Sequence, residues 1–338
     1  MDWFERLTGF REGSYEATRR QIQVEGRQLR SRVNGKGYDI GELELVSLQT
    51  LRERVQRSGG LPGKLKIGIV TGDVRHLHHF PEYEGALFQV ASQFNLLEMV
   101  GPTVTPEDGV TRYTMDRTQG PACAIAAGAA TVYRNYFAPV GNAFGQTSER
   151  QLDGLAEIGV ALSEALNQPR ETLWTMQNGY ALCTQDGLEA INMYLRTLTP
   201  EKVDTLREKL RIGLHRDVEV TDVDREPRPH VSQAFCSALP VSYSRVPQPY
   251  FQIFASLILE AAYEATICAA VCNAQRGVSN VVLLTRLGGG AFGNSDDWID
   301  AAIRRSLHRA VDFDLDVKLV TYGTPSRTLL EIVREFEK

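Results

Sequence analysis

Short apolar runs alternate along the chain with longer segments of helical periodicity. Runs rich in β-branched residues predict buried strands at about 64–70, 86–91, 211–221, 231–243, 281–285 and 317–322. Apolar residues at helical spacing predict intervening helices, among them 121–130, 151–167, 253–274 and 296–311. Strands that alternate with helices in this way predict an α/β fold, with a sheet covered by helices on both faces.

The first 62 residues have a different pattern and predict a helical extension. Residues 15–33 are rich in Arg, Gln and Glu, which is typical of a solvated helix. A second helix is predicted at 46–55, and the glycine-rich segment 58–63 reads as a linker. We therefore expect an N-terminal helical extension over residues 1–62 and an α/β domain over residues 63–338.

Composition narrows the function classes. The 338 residues are 43% hydrophobic and 23% charged, as in ordinary soluble proteins. A net charge of −5 argues against a nucleic-acid-binding surface. We expect no membrane span, because no apolar run approaches the roughly 18 residues that one requires, and residues 1–6 lack the features of a signal peptide. Five scattered cysteines without a Cys-x-x-Cys pair suggest neither disulfides nor zinc, so we expect a reduced, cytoplasmic protein.

The strongest functional signal is a glycine-rich loop between a predicted strand and a predicted helix. Residues 281–285 form the strand, and Gly288, Gly289, Gly290 and Gly293 follow it. The helix after the loop begins near Ser295, a plausible N-cap. This order aims backbone N–H groups at a phosphate, so we predict a nucleotide or pyrophosphate site, against the alternative of a simple tight turn. A bulky β-branched residue at Gly290 is expected to abolish binding, because positive φ and close backbone approach are lost.

The loop formally matches the dinucleotide fingerprint Gly-x-Gly-x-x-Gly. A nicotinamide-cofactor site also needs an acidic residue at the end of the next strand, but 317–322 is followed by Gly323. An NAD-dependent oxidoreductase is therefore a minor alternative. His76, His78 and His79 have no carboxylate or cysteine at metal spacing beside them, so a polar loop without metal is predicted there.

Four separated segments resemble the macrodomain fold. Residues 67–74, Ile-Gly-Ile-Val-Thr-Gly-Asp-Val, resemble its opening strand and Gly-Asp-Ile, and residues 86–95 resemble its next strand, which ends in Asn-Ala-Ala-Asn. Residues 231–240 and 284–293 follow in the same order, the latter resembling its phosphate loop. The resemblance covers about 64–325 and implies a three-layer α/β/α sandwich. Residues from about 140 to 215 have no counterpart in a minimal macrodomain, and we expect them to form a helical insertion. Trp174 and Tyr180 in this insertion are candidate residues for docking the modified protein.

Residues 116–129, Asp-Arg-Thr-Gln-Gly-Pro-Ala-Cys-Ala-Ile-Ala-Ala-Gly-Ala, resemble a narrower group, the macrodomain-like ADP-ribosylarginine hydrolases of bacterial effectors that act on ubiquitin. Two departures matter. Gln-Gly-Pro-Ala at 119–122 replaces the usual Gly-Gly-Gly-Val, and the Gly-Gly-Gly with Gln-Glu-Glu of poly(ADP-ribose) glycohydrolases is absent. The resemblance implies an ADP-ribose ligand, no cofactor and no metal, and an ADP-ribosylated protein such as ubiquitin as the partner.

The resemblance also implies roles for individual residues. Asp116 and Asp108 would be catalytic, because a carboxylate can orient water at an oxocarbenium-like centre and pair with a guanidinium. A turn-capping role is the alternative for both aspartates. The implied ADP-ribose contacts are Asp73, Val74, Asn95, Gln119, Gly120, Ala122, Gly288, Gly289, Gly290, Ala291, Phe292, Gly293 and Asn294. Three classes stay open: an ADP-ribosylarginine hydrolase, a non-catalytic ADP-ribose-binding module, and an NAD-dependent oxidoreductase.

Overall fold

The computed structural model describes residues 1–59 and 61–337. Its strands are β1 (Ile22–Glu25), β2 (Gln28–Ser31), β3 (Gly37–Asp39), β4 (Glu42–Ser47), β5 (Lys66–Thr71), β6 (Leu87–Ala91), β7 (Pro139–Val140), β8 (Ala143–Phe144), β9 (Trp174–Gln177), β10 (Tyr180–Cys183), β11 (Arg211–Glu219), β12 (His230–Cys236), β13 (Val281–Leu284) and β14 (Asp316–Thr321). Its helices are α1 (Trp3–Thr8), α2 (Tyr15–Arg20), α3 (Leu48–Arg57), α4 (Val74–Leu77), α5 (Gln119–Ala126), α6 (Gly128–Tyr136), α7 (Ala156–Leu166), α8 (Arg170–Leu173), α9 (Gln185–Thr197), α10 (Pro200–Arg207), α11 (Gln252–Gln275), α12 (Asp296–His308) and α13 (Arg327–Phe336).

A seven-stranded sheet forms the centre of the molecule, in the order β4-β11-β12-β6-β13-β14-β5. The five strands from β12 to β5 pair in parallel, whereas β11 pairs antiparallel with both β12 and β4. Parallel neighbours place their carboxyl ends at the same edge of a sheet, so the loops after β5, β6, β12, β13 and β14 gather there. The predicted α/β class is confirmed.

Helices cover both faces of this sheet. Successive side chains of a strand point to opposite faces, and Leu87 and Phe88 of β6 accordingly belong to two different cores. Helices α3, α11, α12 and α13 pack on the Leu87 face, and α4, α5 and α6 pack on the Phe88 face. The three-layer arrangement therefore follows from the alternation of apolar residues within each strand.

The predicted helical extension over residues 1–62 is wrong in most of its length. Helix α2 ends at Arg20, and β1, β2 and β3 form an antiparallel sheet. Strand β4 then joins the main sheet at its edge, pairing with β11 from Ser47 opposite Arg211 to Glu42 opposite Arg216. Alternation in short strands, such as buried Leu29 and Ser31 between exposed neighbours, was hidden by the many polar residues of this segment.

The insertion predicted at about 140–215 is part helix and part hairpin. It contains α7 to α10 and the β9–β10 hairpin, and it ends before Arg211, where β11 enters the main sheet. Trp174 and Tyr180 are each 1% exposed, so both belong to the interior and neither can anchor a docked protein.

Helix α11 corrects the expectation that no apolar run approaches the length of a membrane span. The segment 248–275 is long and apolar enough by composition, but 83% of the tested window is buried inside the protein. It packs against α3, α12 and four strands of the sheet. We therefore interpret it as the central core helix.

One buried carboxylate joins three of the helices on this face. Glu264 of α11, with a side chain 3% exposed, accepts hydrogen bonds from Arg52 of α3 at 2.7 Å, from Arg305 of α12 at 2.6 Å and from Arg309 at the end of α12 at 3.0 Å. Asp204 of α10 pairs with the same arginines. Four helices thus share one ion-pair network.

Replacing Glu264 with Ala should lower the free energy of unfolding by about 3 kcal/mol, because the arginines would lose the acceptor that offsets their dehydration. Chemical denaturation measures this difference. The control is Glu331→Ala, since Glu331 pairs with Arg327, whose side chain is 93% exposed, and its loss should cost about 0.5 kcal/mol or less. Equal effects of the two substitutions would contradict this account.

Candidate functional site

The candidate site lies where the sheet divides between β6 and β13. These strands pair only at Leu87 and Phe88, opposite Val282 and Leu283. Beyond this point the chain leads from β6 to α5 on one face, and from β13 to α12 on the other face. In open α/β sheets, ligands bind in the crevice at such a switch, outside the carboxyl ends of the strands.

Gln119 bridges the gap that the division leaves in the sheet. Its Oε1 accepts from the Ala91 N–H, and its Nε2 donates to the Gln89 carbonyl, both at 2.8 Å. An unpaired backbone group away from water costs about as much as a lost hydrogen bond, so this amide replaces a neighbouring strand. Gln119 lies in the cleft, but its amide is already engaged by β6, which is a structural role rather than the ligand contact expected.

The cleft has an empty volume of about 680 Å³, which includes its opening to solvent. Five segments enclose it: the turn after β6, the start of α5, the β9–β10 hairpin, the loop after β12 and the glycine loop after β13. Its lining includes Ser92, Gln93, Glu98, Met99, Asp116, Thr118, Gln119, Pro121, Tyr180, Ala238, Tyr243, Arg286, Gly288, Gly290, Ala291 and Phe292. The glycine loop and the region of Asp116, which are far apart in sequence, therefore share one cavity.

Two of the four predicted glycines set the shape of the loop. Gly288 and Gly293 have φ of 75° and 70°. A Cβ at Gly288 would lie 2.5 Å from the Cβ of Ala238, and one at Gly293 would overlap the hydroxyl of Ser242. Gly290 has no positive φ and open space around it, so the reason given for its intolerance of side chains is wrong.

The loop leaves several backbone donors free. Hydrogen bonds within the loop use the N–H groups of Gly289, Gly293 and Asn294. Within the described part of the chain, no acceptor is found for the N–H groups of Gly288, Gly290, Ala291 and Phe292. Free N–H groups between a strand and a helix N-terminus are what an anionic phosphate requires. The Asn294 side chain instead donates to the carbonyls of Leu239 and Gly288, and so holds the loop closed.

Asp116 lies at the cleft as expected. Its Oδ1 accepts from the Thr118 N–H at 2.8 Å, so the aspartate also caps the turn that leads into α5. Its Oδ2 makes no hydrogen bond or ion pair with the described residues. One oxygen is therefore fixed by the backbone, and the other is available to a ligand or water.

Asp108 does not lie in this cleft. It closes a capping box with Thr105, accepting from that residue's N–H at 2.9 Å, and pairs with Arg112 at 3.3 Å. Asp108 therefore caps a turn, as the alternative interpretation predicted. Its position does not support a catalytic role beside Asp116 at the distal ribose.

The remaining predicted contacts serve the fold around the cleft. Asp73 follows β5 at the same edge of the sheet, but it caps α4 and lies outside the lining, and Val74 is buried in the core. Asn95 is fully buried, with its amide bonded to Gln151 and to the Leu97 N–H. Gly120 and Ala122 pack toward β6 and its core rather than into the cleft. These contacts join segments that are distant in sequence, so local motifs could not predict them.

Glu98 is the cleft residue that the sequence reading missed. It is 1% exposed, and neither carboxyl oxygen has a hydrogen-bond partner of good geometry. Burial raises its pKa to about 8, although the Arg134 guanidinium at 3.6 Å acts in the opposite direction. A single acid within the apolar run 94–100, Phe-Asn-Leu-Leu-Glu-Met-Val, was the signal available.

Three aromatic rings form one wall of the cleft. Tyr180 of β10, Tyr243 and Phe292 have ring centroids 5.1 to 5.7 Å apart. The Tyr180 hydroxyl donates to the Met99 carbonyl at 2.7 Å, which ties the insertion to the turn after β6. Phe292 thus lines the cleft as part of a cluster to which the insertion contributes, and its packing on a ribose stays a prediction.

The three histidines do not converge on a metal. His78 is fully buried, stacks on Phe88 and bonds the Val74 carbonyl, and burial lowers its pKa to about 4. His79 lies 3.5 Å from Asp222. Among the described residues, the group with metal-ligand proximity is Asp39, Glu219 and His230, outside the cleft. Both Glu219 oxygens already accept, from Asp39 N–H and from Arg228, so this group binds the N-terminal sheet to the main one.

Comparison with known proteins gives matches among solved structures only. No protein-family model matches the chain, and no curated protein matches it. Poly(ADP-ribose) glycohydrolase from Deinococcus radiodurans in complex with ADP-ribose is similar at 12% identity and a TM-score of 0.46, over 96% of this chain and 97% of that chain. The glycohydrolase from Thermomonospora curvata bound to the inhibitor ADP-HPD is similar at 10% identity and a TM-score of 0.45, over 95% of each chain. The proposals below rest on the geometry of the cleft.

Gly293→Ala should destabilise the protein by at least about 1 kcal/mol, because a left-handed backbone is costly for a residue with a Cβ and Ser242 occupies the space. Gly290→Ala should change the free energy of unfolding by less than about 0.5 kcal/mol. Denaturant titration of both variants measures the difference. A larger loss for Gly290→Ala would contradict the described loop conformation.

Proposed function

We propose that this protein binds ADP-ribose and hydrolyses the N-glycosidic bond that joins it to arginine side chains of proteins. The observation that carries the proposal is that a loop with four backbone N–H groups, for which the described residues offer no acceptor, shares one cleft with Asp116 at the switch point of the sheet. The loop would hold the pyrophosphate, and Asp116 would lie at the distal ribose.

The chemistry of the cleft suits bond cleavage at that ribose. Loss of a group from C1″ passes through an oxocarbenium-like state, which an adjacent carboxylate stabilises. The free Oδ2 of Asp116 can accept a proton from water, while Oδ1 stays fixed by Thr118. General-base help of this kind contributes roughly 10²–10⁴ in rate.

Arginine is the linkage that the charges of the cleft favour. Asp116 has no cation beside it among the described residues, and Arg286, the arginine in the described lining, is held by Asp296 at 2.6 Å and by Asp300. A carboxylate without a protein cation beside it forms a strong, charge-assisted hydrogen bond with a guanidinium. Glutamate and serine linkages offer no such cation.

A binding module that does not cleave ADP-ribose is the second candidate. The observation that favours it is the capping bond of Asp116, which gives this residue a structural reason to be present. An NAD-dependent oxidoreductase has less support, because β14 ends at Thr321 and is followed by Tyr322 and Gly323, without an acid to hold a ribose.

Ubiquitin as the modified protein, and a cytoplasmic location, follow only from the resemblance and the composition. Both stay predictions. The exposed surface of the insertion remains available for protein recognition, although its aromatic residues Trp174 and Tyr180 are buried.

Asp116→Asn should slow hydrolysis of an arginine-linked substrate by at least about 10²-fold while leaving ADP-ribose affinity largely unchanged. The amide can still accept from Thr118, but it loses the charge that stabilises the transition state, so kcat should fall. Single-turnover release of ADP-ribose from an arginine-modified protein measures the rate, and calorimetry measures the affinity.

Asp108→Asn is the matched control, because the same atoms change in a capping aspartate outside the cleft. Its turnover should stay near that of the unaltered protein. A wild-type hydrolysis rate for Asp116→Asn would contradict the mechanism and favour the binding module. Equal losses of rate in the two variants would show that the loss does not depend on the position of Asp116 in the cleft.

Removal of metal ions should leave the hydrolysis rate unchanged. The proposed step uses carboxyl groups and backbone donors, and the cleft lining contains no cluster of three metal ligands in the described part of the chain. The measurement is turnover after dialysis against EDTA, followed by addition of Mg²⁺ or Zn²⁺. Loss of activity that one of these ions restores would contradict the prediction.

A further inference from the structure

Glu98 combines two properties that a structural carboxyl rarely has. It is enclosed by protein, yet it belongs to the wall of the cleft that contains Asp116. Buried polar side chains normally have hydrogen-bond partners, and an exception calls for an explanation. Gly120 shapes this position, since a Cβ there would lie 3.1 Å from Glu98 Cγ.

Among the described residues, one charged side chain forms an ion pair with Glu98. Arg134 of α6 is fully buried, lies 3.6 Å from the carboxyl, and is held by the Leu96 carbonyl, the Thr131 hydroxyl and the ring of Phe235. The other titratable groups that face this pair are Tyr113 before α5, Cys123 of α5 and His215 of β11.

These neighbours are neutral at physiological pH. Burial raises the pKa values of Tyr113 and Cys123 well above their usual range and lowers the pKa of His215 well below its usual range. The same desolvation disfavours the charged form of Glu98. A carboxyl that carries its proton near neutral pH is therefore placed at the reaction cleft.

We propose, on the basis of the hydrolase function proposed above, that Glu98 is the general acid that protonates the departing nitrogen. The bond between C1″ and the arginine nitrogen breaks, and a water oxygen forms a new bond to C1″. The water gives one proton to the Asp116 carboxylate, and Glu98 gives its proton to the departing nitrogen. Arginine therefore leaves as a guanidinium cation, and proton exchange with solvent restores both carboxyls.

The division of roles follows from the two settings. An acid must hold its proton and a base must lack one, and sites achieve this by placing two carboxyls in different environments. Glu98 is enclosed, and its carboxyl lies 3.6 Å from the Arg134 guanidinium, whereas Asp116 is partly exposed and accepts an N–H bond. Because the acid must be protonated, kcat should fall as pH rises through the pKa of Glu98.

The test compares two leaving groups in Glu98→Gln, which keeps the size of the side chain but cannot donate an acidic proton. One substrate is an arginine-modified protein, and the other is ADP-ribose that carries 4-nitrophenol at C1″ in the same configuration. Release of 4-nitrophenol needs no acid. The variant should cleave the arginine linkage about 10²-fold more slowly, should cleave the nitrophenyl substrate at close to the wild-type rate, and should lose the decline of kcat at high pH.

Each other result has a definite meaning. Equal slowing of both substrates, or a full rate on the arginine linkage, would overturn the assignment of Glu98 as the acid. An unaltered protein that cleaves neither substrate would overturn the hydrolase function itself. The control is Glu149→Gln, a change of an exposed glutamate outside the cleft lining, which should leave both rates unchanged.

Discussion

The hydrogen bonds from Gln119 to β6 are the interaction on which the cleft depends. Strands β6 and β13 must separate after Phe88 to open a cavity, and separation exposes backbone groups that a neighbouring strand would otherwise pair. The Gln119 amide bonds two of these groups, at Gln89 and Ala91. Because Gly120 follows with no side chain, α5 can approach the Ala91 carbonyl closely. One residue thus stabilises the open sheet and sets the position at which Asp116 precedes the helix.

The cleft joins two kinds of electrostatic environment within one cavity. On the side of the glycine loop, free N–H groups and the start of α12 favour an anion. On the other side, the Asp116 carboxylate favours a cation or a developing positive charge. A ligand with a pyrophosphate at one end and a cationic glycosidic linkage at the other matches this distribution, whereas a polyanionic or a purely apolar ligand does not match it.

Elements with strong hydrophobic periodicity could be predicted from the sequence. Contacts that depend on pairing between distant segments could not. Strands β5, β6, β13 and β14 and helix α11 were located to within a few residues because their apolar runs are long or dense. Strand β4 was missed, since a polar edge strand is recognisable only through its partner β11. In the candidate site, local motifs singled out the glycine loop and Asp116, which the structure places in one cleft. Glu98 and the internal bonding of Asn95 were not, because burial and side-chain partners are properties of the folded chain.

The most direct test of the central claim is the linkage that the protein cleaves. Proteins carrying ADP-ribose on arginine, on glutamate or on serine would be incubated with the purified protein, and the release of free ADP-ribose would be followed over time. The account predicts the fastest release from arginine, because the acidic end of the cleft pairs with the guanidinium. Release from serine or glutamate in preference to arginine would contradict it, and ADP-ribose binding without release from any linkage would identify a binding module instead.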